Sequence, residues 1–199
     1  MSIEYRITFP IIVFIVLILL FPFLADLQIP LLDGLVVTSI EAIQAILLLF
    51  FAVFTYFYMK PLQLSQGKKQ FWLWAVFWWI LLFGRSTSWG RDYFPDVPRG
   101  YFRVISIIMI APVVFLLFSP LLRYEIVRKF KTVRLSAWTV VIAVLGLVIS
   151  DSIEHNRLIA PLFLHDPMYQ NLIEELYEFP LIAGLFLIAL PIMKQDKQN

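Results

Sequence analysis

Six apolar runs, each long enough to cross a bilayer, dominate this sequence and decide what it can fold into. They lie at about residues 7–25, 35–59, 71–89, 104–122, 135–154 and 172–193. A hydrocarbon core needs about 20 apolar residues of helix to span it. Backbone groups in lipid have no water to bond, so each run is expected to be α-helical. The expected fold is therefore all-α: a single integral membrane domain over residues 1–199, a polytopic helix bundle of about six transmembrane helices. Little chain is left over for a soluble catalytic domain. Composition agrees, with 61% hydrophobic and 15% charged residues, against about 45–50% and about 25% in soluble domains.

The first run, after Arg6, exceeds the roughly 7–15 apolar residues of a secretory signal core, and Phe23 before Ala25 spoils a small-residue cleavage pattern. It is read as a retained first span. Prolines at 10, 22, 112, 180 and 191 fall within the runs. Pro112 is expected to kink the fourth, because it removes an internal hydrogen bond.

Orientation follows from lysine and arginine, which accumulate on the cytoplasmic side. With the N-terminus inside, the inner segments hold eleven basic and three acidic residues, and the outer side holds five basic and eleven acidic ones. All seven lysines fall inside. The expectation is N-in and C-in. Tyr58, Trp72, Trp74 and Trp138 fall near inner ends and Trp89, Tyr93 and Tyr101 near outer ends, as rings anchored at a membrane interface would.

Charge within a span is expensive and by default marks a candidate site. Glu41 sits about two turns into the second run, with Thr38 and Gln44 three positions to either side, which lines one helix face with polar groups. At the outer end of the third run, Gly84 with Ser88 and Ser86 with Gly90 form small-residue pairs that allow close helix approach. Arg85 and Arg91 in that stretch are planar five-donor cations suited to carboxylate or phosphate. Asp151, Glu154 and His155 share a helix face at the outer end of the fifth run, and Glu174, Glu175 and Glu178 do the same at the start of the sixth.

The fifth and sixth runs are consecutive, so their acidic ends are expected at the same depth. Carboxylates gathered there raise one another's pKa unless compensated. Protons, the arginines 85, 91 and 157, or a bound metal or cationic ligand would each serve. Secondary metal candidates are Asp151, His155, Glu174 and Glu178, although the Glu-x-x-His pairs of di-metal bundles do not occur. A plainer reading leaves Glu174 and Glu175 favouring a helix N-terminus and Asp151 and Glu154 in the head-group region.

No nucleotide-binding glycine loop, zinc-protease or serine-hydrolase motif occurs, and the chain has no cysteine and two histidines. No cofactor is expected. Basic residues lie in short clusters between apolar runs, which argues against a nucleic-acid partner. The inner loop from Arg123 to Arg134 could touch anionic lipid.

The stretches RSTSWGRDYFP (Arg85 to Pro95) and NLIEELYE (Asn171 to Glu178) resemble uncharacterised small bacterial multi-pass inner-membrane proteins. Those pair an acidic E-I-S-W-G-Q/R-x-F stretch with a later E-E-x-x-E. Here Arg85 and Ser86 stand where those sequences tend to be acidic. The resemblance implies a bacterial inner membrane and no particular activity.

The expected protein is thus a non-enzymatic envelope protein, contributing to envelope integrity or drug tolerance. Its outward-facing polar cluster would bind a lipid head group, a small solute or a membrane partner. A proton- or cation-coupled small transporter and a metal-dependent membrane hydrolase acting on lipid stand as alternatives. Partners are the bilayer, with anionic lipid, another membrane protein or a second copy in a homodimer as open choices.

Overall fold

A computed structural model describes residues 2–91, 93–157 and 159–198. The chain is 80% helical. In order, the described elements are β1 (Ser2–Glu4), α1 (Phe9–Leu20), α2 (Phe23–Asp26), α3 (Leu35–Met59), α4 (Gln66–Ser86), α5 (Arg99–Leu116), α6 (Pro120–Thr132), β2 (Arg134–Ser136), α7 (Ala137–Glu154) and α8 (Gln170–Gln198). Each of the six apolar runs contains α-helix. Four helical segments, Leu32–Gln63, Arg99–Leu116, Ala137–Glu154 and Pro167–Gln198, are long and apolar enough to cross a membrane. The α1 helix is apolar but shorter, and α4 carries Lys68, Lys69 and four tryptophans among its apolar residues.

The chain divides into two compact units. One comprises Ser2–Glu41 with Arg134–Pro191, the other Ala42–Val133 with the C-terminal residues from Ile192.

In the unit built from Ser2–Glu41 and Arg134–Pro191, α1, α7 and α8 share a core. Ile11 and Ile18, seven residues apart on α1, join Ile142 and Ile149, seven apart on α7, and Leu172, Ile173 and Tyr177 of α8. Spacings of three, four and seven put such residues on one helix face. Helices α7 and α8 approach closely at glycine: a Cβ on Gly146 would lie 2.7 Å from the Leu181 nitrogen, and one on Gly184 would lie 2.8 Å from Ala143 Cβ. A small departure from an all-helical chain is the parallel pairing of β1 with β2, Ser2 opposite Arg134. The Trp138 indole donates to the Tyr5 carbonyl at 3.2 Å beside it.

Pro22 ends α1, yet Phe21 and Pro22 keep right-handed helical angles and α2 follows directly. Residues 9–26 thus rise about 27 Å at about 1.5 Å per residue.

In the unit built from Ala42–Val133 and the C-terminus, the run expected at 104–122 splits. Helix α5 continues through Pro112 and stops at Leu116, and Ser119 with Pro120 begins α6. The last four carbonyls of a helix lack partners within it, and Val113, one of these, accepts the Trp74 indole at 3.0 Å. The Ser119 hydroxyl donates to Gln70 Oε1 at 2.7 Å. Leu122, Glu125 and Lys129 form the buried face of α6, while Arg123 and Lys131 are exposed. On α5, Ile107, Ile108 and Phe115 are 65%, 61% and 69% exposed. Contiguous apolar surface of this kind suits lipid and not water.

Candidate functional site

The end of α7 forms a polar group from local sequence alone. Asn156 takes a left-handed conformation, φ 49°, which short polar side chains tolerate better than most. Its backbone N–H donates to the Ile153 carbonyl at 3.2 Å and that of Arg157 to the Ser152 carbonyl at 2.8 Å. This left-handed cap satisfies carbonyls that the helix end leaves open and turns the chain back, so that the Arg157 guanidinium pairs with Asp151 Oδ2. Gln170, opening α8, donates through Nε2 to the Ile153 carbonyl at 3.0 Å and completes the cap.

Asp151, Glu154 and His155 each bring one donor atom to within 4.8 Å of the others. The His155 Nδ1 lies 3.1 Å from the Asp151 carbonyl oxygen, 3.5 Å from Asp151 Oδ1 and 3.7 Å from Glu154 Oε2. A carbonyl only accepts, so Nδ1 carries the proton in this arrangement. Ligating a metal through Nδ1 would require the ring to give up that bond, and Asp151 to share its charge with Arg157. The group is thus a half-exposed polar network in which Arg157 compensates the Asp151 carboxylate and Glu154 faces His155.

The other expected residues are distributed as follows. Glu174, Glu175 and Glu178 are half-buried on the first turns of α8 and do not belong to the three-residue group at Asp151, Glu154 and His155. Glu41 is half-buried on α3 and Gln44, one turn on, is fully buried, but the Thr38 hydroxyl bonds its own helix at the Gly34 carbonyl, 3.2 Å away. Arg85 and Arg91 are exposed residues of the other unit, and the guanidinium paired with Asp151 is that of Arg157. His165, in the loop before α8, bonds Asp26 Oδ2 through Nδ1 at 3.0 Å.

The stretch after α4 corrects a sequence expectation. The helix stops at Ser86, and Ser88, Trp89 and Gly90 all have positive φ, 47°, 58° and 91°. The pairs Gly84 with Ser88 and Ser86 with Gly90 therefore share no helix face. Gly84 instead lies under the Trp89 ring, where an added Cβ would come within 2.4 Å of a ring carbon. Asp92 lies outside the described residues.

Sequence reasoning missed a buried ionic contact. Lys129 Nζ pairs with Asp196 Oδ2, which also accepts the Trp72 indole at 2.7 Å. Lys129 and Asp196 are 4% and 8% exposed and Trp72 1%. The ammonium lies 4.6 Å from the Phe71 ring centre, within reach of cation–π attraction. Burial lowers the Lys129 pKa below its ordinary 10.5, and Asp196 opposes that shift. Trp72 is thus a buried hydrogen-bond donor and not an interfacial anchor. The distribution of lysine and arginine puts both charges in inner segments, and nothing in their separation of 67 positions announces the pair.

By fold and composition the chain is a helical protein with helices suited to a membrane. Compared with family models, curated proteins and solved structures, it matches none.

Proposed function

We propose that this is a non-enzymatic multi-pass protein of a bacterial inner membrane, crossing six times with both ends inside, whose outer end binds a zwitterionic lipid head group. The observation that carries the binding assignment is the adjacency of opposite charges at the exposed end of α7. Glu154 and His155 are exposed, and Asp151 and Arg157 pair beside them. A head group bearing an ammonium and a phosphate presents the complementary set, the ammonium for Glu154 and Asp151 and the phosphate for Arg157.

The polar contacts within each unit support the six-crossing topology. Lys68 and Trp72, Lys129 and Asp196 come from three segments that the lysine and arginine distribution assigns to the inside, and they meet. The β1–β2 pairing joins two more inner segments. Asp26 with His165, and Tyr169 with the Ile29 carbonyl at 3.0 Å, join outer ones. Each of these contacts joins segments from the same side.

The absence of native cysteine makes topology testable. Single cysteines at Lys131 and Glu154 are expected to be shielded from and labelled by, respectively, a membrane-impermeant maleimide applied to intact cells; labelling of Lys131→Cys from outside would refute the orientation. For binding, native mass spectrometry of the full chain is expected to show phosphatidylethanolamine retained over a neutral diacylglycerol of equal chain length. Glu154→Gln with Arg157→Gln should abolish that preference. Equal retention by this variant would end the head-group assignment.

A further inference from the structure

We infer that α6 is an in-plane helix that binds the anionic lipid surface of the inner leaflet, with Arg123 and Lys131 on lipid phosphates and Tyr124, Val127 and Phe130 among the upper acyl chains. The inference rests on the six-crossing topology, in which α4 spans the bilayer and the segment after α5 lies inside.

Contacts within Ala42–Val133 show that α6 crosses α4 instead of running beside it. Ser119, just before α6, bonds Gln70. A Cβ on Gly67 would lie 3.0 Å from Glu125 Cγ, and Lys129 Nζ lies 4.6 Å from the Phe71 ring centre. From Ser119 to Lys129 the helix axis advances about 15 Å. The partners nevertheless stay within residues 67–71 at the start of α4 and do not advance in step. Helix α5 behaves differently: Trp74 bonds the Val113 carbonyl, and Phe83, further along α4, lines a groove together with Ile105, earlier on α5. That order is the mark of an antiparallel neighbour. A helix laid across the inner end of a spanning helix lies along the membrane surface. With 13 residues, α6 is also too short for a hydrocarbon core about 30 Å thick.

Packing fixes which side of α6 faces outward. Leu122, Glu125 and Lys129 are buried, and the pairing of Lys129 with Asp196 fastens that side. On the opposite side Arg123, Tyr124, Val127, Phe130 and Lys131 fall within about 120° of arc, and all five are exposed. Tyr124 is 68% and Phe130 58% exposed. Rings set among basic residues in this way suit a membrane interface and not bulk water.

The occupant follows from charge. The one acidic residue of α6, Glu125, is buried and pairs with Arg128 at 2.8 Å, so the outward face carries cations alone. Among the described residues neither Arg123 nor Lys131 has an ion-pair partner. Long cationic side chains beside apolar ones lay their stems on hydrocarbon and raise their charged ends to the phosphates. An anionic leaflet offers those phosphates without a competing ammonium and attracts basic segments near its surface.

The test uses the full chain with Val127→Cys, labelled with an environment-sensitive fluorophore, in nanodiscs of phosphatidylcholine alone or mixed with an equal amount of phosphatidylglycerol. Acrylamide, a neutral quencher, reports access from water, and lipid spin-labelled near the head group reports insertion. Acrylamide quenching is expected to fall at least about threefold in the anionic discs while quenching by the spin-labelled lipid rises. Arg123→Gln with Lys131→Gln, both exposed and so compatible with folding, should erase this dependence on lipid charge. Arg123→Lys with Lys131→Arg should keep it. Equal acrylamide access in the two kinds of disc would leave the face in water, open to an acidic protein, and would overturn the proposal. Retention of the charge dependence by the double glutamine variant would do the same. Because nanodiscs expose both leaflets, neither result depends on orientation, which the labelling of Lys131→Cys in intact cells reports separately.

Discussion

The phenolic hydroxyl of Tyr177 donates to the backbone carbonyl of Ile18 at 2.7 Å, and Ile18 stands four residues before Pro22. In an α-helix that carbonyl would accept the N–H of residue 22, which proline lacks. A side chain from α8 therefore supplies the bond that the α1 sequence removes. Tyr177 is itself fully buried and packs edge-on against Phe21, ring centres 5.3 Å apart. Tyr177→Phe keeps that packing and strands the carbonyl, so a loss of about 1–3 kcal/mol is expected. In a Pro22→Ala background, where residue 22 regains its N–H, the same change should be nearly neutral. Unfolding of the four proteins in mixed micelles measures the coupling; an equal loss in both backgrounds would break the link between Pro22 and Tyr177.

Gly146 sits where α7 and α8 touch backbone to backbone. A Cβ there would lie 2.8 Å from the Tyr177 carbonyl oxygen, and neither backbone can yield as a flexible side chain could. Gly146→Val is expected to destabilise by at least about 1–3 kcal/mol, as overpacking does. Gly100, the second residue of α5, meets nothing within 4 Å, so Gly100→Ala should be neutral or gain a fraction of the about 1 kcal/mol that alanine gains in a helix interior. Thermal denaturation in detergent separates the two outcomes by sign.

Removing one partner of the buried Lys129–Asp196 pair leaves the other charge without compensation. Asp196→Asn is expected to cost about 3–5 kcal/mol, whereas Lys129→Met with Asp196→Leu should be close to neutral. The pH dependence has a definite sign. Between the lowered pKa of Lys129 in the folded protein and 10.5, the unfolded chain binds more protons at this position than the folded one. Stability contributed by Lys129 therefore rises with pH across that window and is flat below it, where the lysine is charged in both states. The wild type should gain on the double variant as pH approaches 10.5; a steady fall would reverse the sign.

Asn156 holds a left-handed angle at the end of α7, and that angle aims Arg157 at Asp151. Asn156→Gly should preserve stability or raise it slightly, since glycine adopts this conformation freely. Asn156→Val is expected to cost about 1–2 kcal/mol and to release the Arg157 pair. Comparing the two variants with Arg157→Ala, by melting and by the accessibility of a cysteine at position 154, which leaves Asp151 in place, would show whether the cap positions the cluster.

Helix placement was legible wherever composition alone decides it. The run at 35–59 became α3 with those ends, and each of the other five runs contains α-helix. Boundaries moved where local chemistry outweighed hydropathy. Leu117, Phe118, Leu121 and Leu122 are as apolar as the residues before them, yet Ser119 and Pro120 between them start a new helix. The group at Asp151, Glu154 and His155 was legible because its members lie within five residues on one helix.

What this sequence determines by itself is the solvent each segment needs, because transfer of side chains between water and hydrocarbon depends on their composition and hardly on their neighbours. Which polar atoms find one another was decided by tertiary structure. The carbonyl left open by Pro22 and the ammonium of Lys129 acquire partners through segments far away in sequence. Hydrogen bonds and ion pairs act over a few ångströms, so only the packing of the helices could select them.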